Sequence, residues 1–282
     1  MSKSNKKIYL LIDTNIFVQS CLLEKEIDDN KSIDALLKIL NNNEAILLLP
    51  EIIKEEYYKN LNSKRLIKWE TDFKNTFGID RDQTEHNTDQ RNKASKSQQS
   101  KPLEFSQQFI TKFQNNIDEF MKKQLTEFEE TKSKIEKIFN HKNRELILFK
   151  RSHFFEAYKF FISGIKPVKI GEKAPAIQSD AVIMAGLYSF LKSKKNYELI
   201  ICSNNSQDFS DDNIDNKSGL DEEIPLHPHI KLRIKGNVKL YKYLSVLLNK
   251  IFKTKIETNI KKAENTEIDH NGQDNQLVGE SK

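Results

Sequence analysis

The sequence predicts an α/β fold, a three-layer α/β/α sandwich around a central and mostly parallel sheet. Four short runs of apolar and β-branched residues have the length of buried strands, at residues 8–12, 45–49, 198–202 and 238–241. Segments with helical spacing of apolar residues lie between or after these runs. Continuous apolar runs are typical of parallel strands that helices cover on both faces.

The helices that accompany these strands follow from the same periodicity. Residues 31–40, 179–191 and 243–252 repeat apolar side chains at intervals of three and four, and a further helix begins after Pro50. Because these helices alternate with strands, we expect them to cross over the sheet.

The middle of the chain interrupts this alternation. Residues 61–173 are predicted to form a large helical insertion, and the polar stretch at residues 80–101 within it is predicted to be a mobile loop. From Phe105 to Ile138 the aromatic and aliphatic residues are spaced as in one or two long amphipathic helices, whose apolar stripe is expected to pack in a core. The α/β domain would then comprise residues 1–60 and 174–253, followed by a disordered tail at 254–282.

Composition excludes several classes of protein. Apolar residues make up 37% of the chain and charged residues 31%, with a mean hydropathy of −0.67, so a compact core and an extensive polar surface are both expected. Two cysteines, Cys21 and Cys202, are too few for a disulfide scaffold and indicate reduced core thiols. No apolar run reaches the roughly 18 residues of a membrane span, and the N-terminus lacks the pattern of a signal peptide. We expect a cytoplasmic protein without a membrane partner.

Acidic side chains follow the predicted strands or open the helices beside them. Asp13 follows the first strand, Glu55 and Glu56 lie in the helix after the second, Asp180 is in the first turn of a later helix, and Asp208 follows the third. Because the carboxyl ends of parallel strands meet at one edge of a sheet, we expect these acids to converge on one crevice.

Converging carboxylates favour a divalent cation. Like charges a few ångströms apart raise each other's pKa, and a metal ion offsets this repulsion. Oxygen ligands favour Mg²⁺ or Mn²⁺, which could hold a phosphodiester and lower the pKa of a bound water. The sequence offers neither a Cys/His cluster with zinc spacing nor a recognisable Ser-His-Asp arrangement, and we interpret His227 and His229 as structural.

Four motifs together resemble the PIN-domain family of nucleases, in its bacterial type with a long helical insertion. They are Ile-Asp-Thr-Asn-Ile-Phe, Leu-Pro-Glu-Ile-Ile-Lys-Glu-Glu, Ser-Asp-Ala-Val-Ile-Met-Ala and Ile-Cys-Ser-Asn-Asn-Ser-Gln-Asp-Phe, at residues 12–17, 49–56, 179–185 and 201–209. None of them is specific alone, but they occur in the family's order and at predicted strand ends. The resemblance covers roughly residues 6–60 and 174–250.

The resemblance implies a set of site residues. The predicted catalytic and metal-binding acids are Asp13, Glu56, Asp180 and Asp208, and Asn205 is a further metal ligand. Glu56 is favoured over Glu55 because the family's second acid follows the proline by six residues. Ser203 would support the site, and Asn15 would orient Asp13 or cap the following helix.

The implied activity is hydrolysis of phosphodiester bonds by a Mg²⁺- or Mn²⁺-dependent nuclease, with RNA a better candidate than DNA. Lys166, Lys169 and Lys173 could contact substrate phosphates, although a solvated lysine-rich loop is the alternative. By analogy, the setting could be a toxin–antitoxin pair or antiphage defence, with an inhibitory or activating protein partner, and a homo-oligomer is compatible with the sequence.

Other functions remain as alternatives or are excluded. A catalytically weak PIN-like module that binds RNA or protein is the main alternative, because the amide of Asn205 contributes no charge to the site. Haloacid-dehalogenase-type phosphatases need an acid where Asn15 stands, and residues 164–173 lack the glycine spacing of a phosphate loop. A Rossmann-type nucleotide site would need a glycine fingerprint that is absent from the sequence.

Overall fold

The structure is a computed structural model that describes residues 6–22, 30–77, 103–164, 179–205, 209–211 and 223–256. Within these ranges five strands form one parallel sheet in the order β3-β2-β1-β4-β5. The strands are β1 (Lys7–Ile12), β2 (Ile46–Pro50), β3 (Arg144–Ile147), β4 (Tyr197–Cys202) and β5 (Asn237–Tyr241). The predicted α/β fold with a parallel central sheet is confirmed.

Eight helices among the described residues accompany the sheet. They are α1 (Thr14–Cys21), α2 (Asn30–Asn41), α3 (Glu51–Phe77), α4 (Leu103–Phe139), α5 (Arg151–Ile162), α6 (Ser179–Leu191), α7 (Pro228–Arg233) and α8 (Leu244–Phe252). Helix α1 contacts α3 and α4, α2 contacts α4 and α8, and α5 packs on α6, which contacts β2 and β3. The helices predicted from periodicity are therefore present, with bounds within a residue or two of those expected.

Strand β1 occupies the centre of the sheet because its side chains are apolar on both faces. Residues Tyr9 to Ile12 are each at most 3% exposed, as expected for a parallel strand between two helical layers. β1 pairs with β4 over its whole length, from Lys7 opposite Tyr197 to Ile12 opposite Cys202. The two strands therefore end level with each other.

Strand β3 was not predicted, and it lies within residues 61–173, the range predicted to be a helical insertion with a mobile loop. It pairs with β2 from Arg144 opposite Leu47 to Ile147 opposite Pro50. Only four residues long, it includes an arginine and a glutamate, and Leu146 remains 45% exposed while Ile147 is buried. This composition is typical of a short edge strand, which lacks the continuous apolar run of a buried one. Part of the region from residue 61 to 173 thus completes the sheet.

Helix α4 carries the predicted aromatic stripe as a single helix of 37 residues. Its C-terminal half packs in the main core, where Ile135, Ile138 and Phe139 are fully buried. The ring of Phe139 meets those of Phe17 and Tyr57 edge-on, with centroids 5.0 and 5.1 Å apart. The predicted core packing is confirmed for this half of α4.

The structure also bears on what the sequence predicted for the cysteines, the C-terminal tail and membrane-spanning helices. Cys21 and Cys202 are buried thiols without a disulfide, as predicted, and burial raises the pKa of Cys21 to about 12. The predicted mobile loop at residues 80–101 lies outside the described residues. Of the predicted tail, Thr254 and Ile256 are hydrogen-bonded to Asn249 of α8, and the remainder from residue 257 lies outside the described part. No helix in the described ranges combines the length and apolar character needed to cross a membrane.

The substitution Phe139→Ala should lower the free energy of unfolding by about 3–5 kcal/mol, because it removes a fully buried ring and leaves a cavity. Leu125→Ala, at a position on the same helix that is 44% exposed, is the control and should change stability by less than about 1 kcal/mol. Urea denaturation measures both. Equal effects would contradict the placement of α4 in the core.

Candidate active site

The order of the strands puts a topological switch point at the end of β1. From β1 the chain proceeds to β2 and β3 on one side, and later to β4 and β5 on the other. At such a switch point the connections after the two central strands diverge, and α/β proteins bind ligands there, beyond the carboxyl ends of the strands. The first residues after β1 and β4 are Asp13 and Ser203.

A hydrogen bond joins these two residues across the switch point. The hydroxyl of Ser203 donates to Asp13 Oδ2 at 2.7 Å, and Ser203 is fully buried. The backbone continues the sheet pairing on both sides, since Asp13 N–H donates to the carbonyl of Cys202 and Ser203 N–H to that of Tyr241. Asn205 N–H donates to the Ser203 hydroxyl at 3.2 Å. Ser203 therefore holds the Asp13 carboxylate in one position.

Asp13 occupies the N-cap position of α1, but its side chain makes no capping hydrogen bond among the described residues. The backbone N–H groups of Asn15 and Thr14 lie close enough to lower its pKa without forming such a bond. The part of Asn15 that lies near the Asp13 carboxylate is therefore its backbone N–H. The carboxylate is therefore available for a role other than capping the helix.

The pKa of Asp13 is raised above its usual range. Burial is the main cause, because protein atoms closely surround the carboxylate, although Asp13 as a whole keeps some accessible surface. The Ser203 hydrogen bond opposes the shift, and the nearby negative charge of Glu56 adds to it. A positive charge at this point would offset both the burial and the repulsion.

Glu56, rather than Glu55, lies beside Asp13. The Thr14 hydroxyl donates to Glu56 Oε2 at 3.0 Å, and Thr14 is 2% exposed. Glu56 is half-buried on the face of α3 that includes the buried Ile53, whereas Glu55 is exposed. The pairing of Thr14 with Glu56 was not predicted, since 42 residues separate them. The one indication of it in the sequence was the position of Thr14, a hydroxyl residue directly after the acid that follows β1.

Asp180 lies in the first turn of α6, where the sequence predicted it, and is half-buried. Among the described residues, however, no three His, Cys, Asp or Glu side chains form a group that could hold a metal ion. The meeting of Asp13, Glu56 and Asp180 in one pocket therefore stays a prediction. Like charges raise each other's pKa, so a third carboxylate would join the other two only with a cation to offset it.

The remaining predicted site residues lie outside the described part of the chain, with one exception. Asp208, Lys166, Lys169 and Lys173 fall in the gaps at residues 165–178 and 206–208. Asn205 is described and half-buried, beside Ser203.

Asn204 is a further candidate that the sequence analysis missed. Its amide nitrogen donates to Oε1 of Gln19 on α1. Its Oδ1 is buried and has no hydrogen-bond partner within the ranges that the structure describes. A buried oxygen without a donor is unfavourable, and a water or a cation would satisfy it. Only the position of Asn204 within the last motif, between Ser203 and Asn205, could have indicated this.

The donors around the switch point are carboxylate, hydroxyl and amide oxygens, which fit a hard divalent cation. Comparisons with protein-family models, curated proteins and solved structures gave no match. Any functional assignment therefore depends on the residues and their geometry.

The substitution Asp13→Asn tests the electrostatics of this carboxylate. Because its pKa is raised in the folded protein, Asp13 contributes stability that is present below its unfolded value of 3.8 and is lost as the pH rises through the folded value. Relative to wild type, Asp13→Asn should therefore gain stability between mildly acidic and neutral pH. Thermal unfolding across that range measures it, with the exposed Asp118→Asn of α4 as the control. A relative stability that falls with pH would contradict the raised pKa.

Proposed function

We propose that this chain is a metal-dependent nuclease of the PIN-domain type that hydrolyses phosphodiester bonds, most readily in RNA. The main support is the pair of acids at the switch point of the sheet. Asp13 is held by Ser203 across the ends of the two central strands, and Glu56 is held beside it by Thr14. Two fixed carboxylates at a sheet edge are suited to holding a cation near a phosphodiester.

The residues of the candidate site would have different roles in such an enzyme. Asp13 and Glu56 would hold the metal, with Asp180, Asn205 and Asp208 as the further ligands that the family resemblance implies. A bound Mg²⁺ or Mn²⁺ would supply the charge that holds a phosphodiester and lowers the pKa of an attacking water. Ser203 and Thr14 are positioning residues, since each fixes one carboxylate oxygen and leaves the other for a ligand.

RNA is the proposed substrate because of the resemblance and of the charge of the chain. Residues 59–173 contain 24 lysines and arginines against 16 acidic residues, which favours an anionic partner. A toxin–antitoxin or antiphage role, with a protein that holds the enzyme inactive, is proposed by analogy with such nucleases.

A second function has a specific observation in its favour. Among the described residues no three His, Cys, Asp or Glu side chains form a group that could hold a metal ion, and Asn205 contributes an amide rather than a carboxylate. Both features would suit a catalytically weak module that binds RNA without cleaving it.

Cleavage of single-stranded RNA with Mn²⁺ or Mg²⁺, compared with the same reaction in EDTA, distinguishes the two functions. Loss of a partner that merely orients a metal ligand typically costs 10–100-fold in affinity or activity. Asp13→Asn and Glu56→Gln should therefore each reduce cleavage by at least about 100-fold. Glu55→Gln is the matched control and should retain activity, because Glu55 is exposed.

Two outcomes would count against the nuclease. Metal-dependent cleavage that survives Asp13→Asn would remove the site assignment. RNA binding without cleavage by the wild-type chain, in the presence of either metal, would favour the binding module.

Asp180→Asn tests the third acid separately. If Asp180 joins the site, the variant should lose metal-dependent cleavage while its melting temperature stays the same or rises, because a repelling charge is removed. Differential scanning calorimetry alongside the RNA assay measures both. A marked drop in melting temperature would assign Asp180 a structural role in α6 instead.

A further inference from the structure

A second cavity lies away from the candidate active site. It has a volume of about 450 Å³ and opens between α5, α6 and α7. Its lining includes Tyr197, the first residue of β4, and Lys235, two residues before β5 begins. Asp13 and Ser203 follow the carboxyl ends of β1 and β4, and neither lines this cavity. The two sites therefore have different residues.

The polar lining of the cavity is predominantly positive. Arg233, Lys192 and Lys235 line it together with a single acid, Glu156. Nη1 of Arg233 donates to Glu156 Oε1 at 2.9 Å, and the guanidinium carbon lies 4.5 Å from the centroid of the Phe160 ring. These contacts fix the guanidinium and leave other N–H groups of its fork for a ligand. The excess charge indicates an anion.

His153 adds a buried donor to the same lining. It is 5% exposed, and the backbone N–H of Lys150 donates to its Nδ1 at 3.3 Å. Burial and the charge of Lys150 lower the pKa of His153, so the ring is neutral near pH 7 and carries its proton on Nε2. Nε2 is buried and has no hydrogen-bond partner in the described part of the chain. A buried N–H of this kind requires an acceptor.

The uncharged remainder of the lining is mainly apolar or aromatic. Ala185, Tyr188 and Leu191 of α6 form it with Tyr197, and Ser152 and Ser189 complete it. A cavity of this size is within the range of small-molecule sites, which combine an apolar wall with a few convergent polar groups. The polar groups here are mainly donors, and phosphate oxygens accept hydrogen bonds only, from arginine, lysine and neutral histidine alike.

We propose that this cavity binds a mononucleotide, with its phosphate recognised by Arg233, Lys192 and Lys235 and, once the His153 ring turns toward the ligand, by its Nε2–H, and with its base packed against Tyr188. The cavity does not involve Asp13, so this proposal stands whether or not the chain is a nuclease. A small ligand in this cavity would contact α5, α6 and α7. Helix α6 is also the helix that carries Asp180.

Isothermal titration calorimetry with adenosine monophosphate in EDTA tests the proposal, because the chelator removes metal-assisted binding at the candidate active site. We expect one molecule bound per chain, with adenosine and inorganic phosphate each binding at least about tenfold more weakly, since each lacks half of the recognised groups. Lys192→Gln combined with Lys235→Gln should weaken binding of the nucleotide about tenfold or more. Lys195→Gln, an exposed lysine outside the cavity, should leave it unchanged.

Ring ¹⁵N spectra should also show a shift of His153 Nε2 on saturation with adenosine monophosphate, and the Asp13→Asn variant should bind the nucleotide as wild type does. Binding that is unaffected by the double lysine variant, or lost in Asp13→Asn, would overturn the proposal. Inorganic phosphate that binds as tightly as the nucleotide would overturn the choice of ligand.

Discussion

The candidate site depends on the pairing of β1 with β4 in one register. Because Ile12 lies opposite Cys202, both strands end at the same level and the next residues, Asp13 and Ser203, meet there. A shift of one residue would move every side chain of one strand to the other face and separate this pair. The apolar side chains of β1, buried on both faces, thus fix the position of a half-buried carboxylate 190 residues away from its partner.

Much of the fold could be predicted from the sequence, because four of the strands are continuous apolar runs and the helices repeat at three and four residues. Strand β3 could not, since its four residues include Arg144 and Glu145 and it is held at an edge by β2 alone within the described sheet. Its place is set by pairing with residues 47–50, and that pairing has no local signal. Helix α4 was predictable as a helix, but its contact with Phe17 and Tyr57 was not.

The candidate site, like the fold, could be predicted from the sequence only in part. Glu56 could be preferred to Glu55 because the resemblance puts the second acid six residues after the proline, and in the structure Glu56 accepts a hydrogen bond from Thr14. The orphaned Oδ1 of Asn204 could not be foreseen, because it depends on a side-chain contact with Gln19 at a distance of 185 residues. A meeting of Asp13, Glu56 and Asp180 depends on side-chain positions and on charge, neither of which strand order determines.

The position of a bound metal tests this account most directly. In crystals soaked with Mn²⁺, anomalous scattering should show a peak within about 2–2.5 Å of carboxylate oxygens of both Asp13 and Glu56. A well-occupied peak bound by neither acid, or a lattice that takes up no manganese at this edge of the sheet, would contradict it.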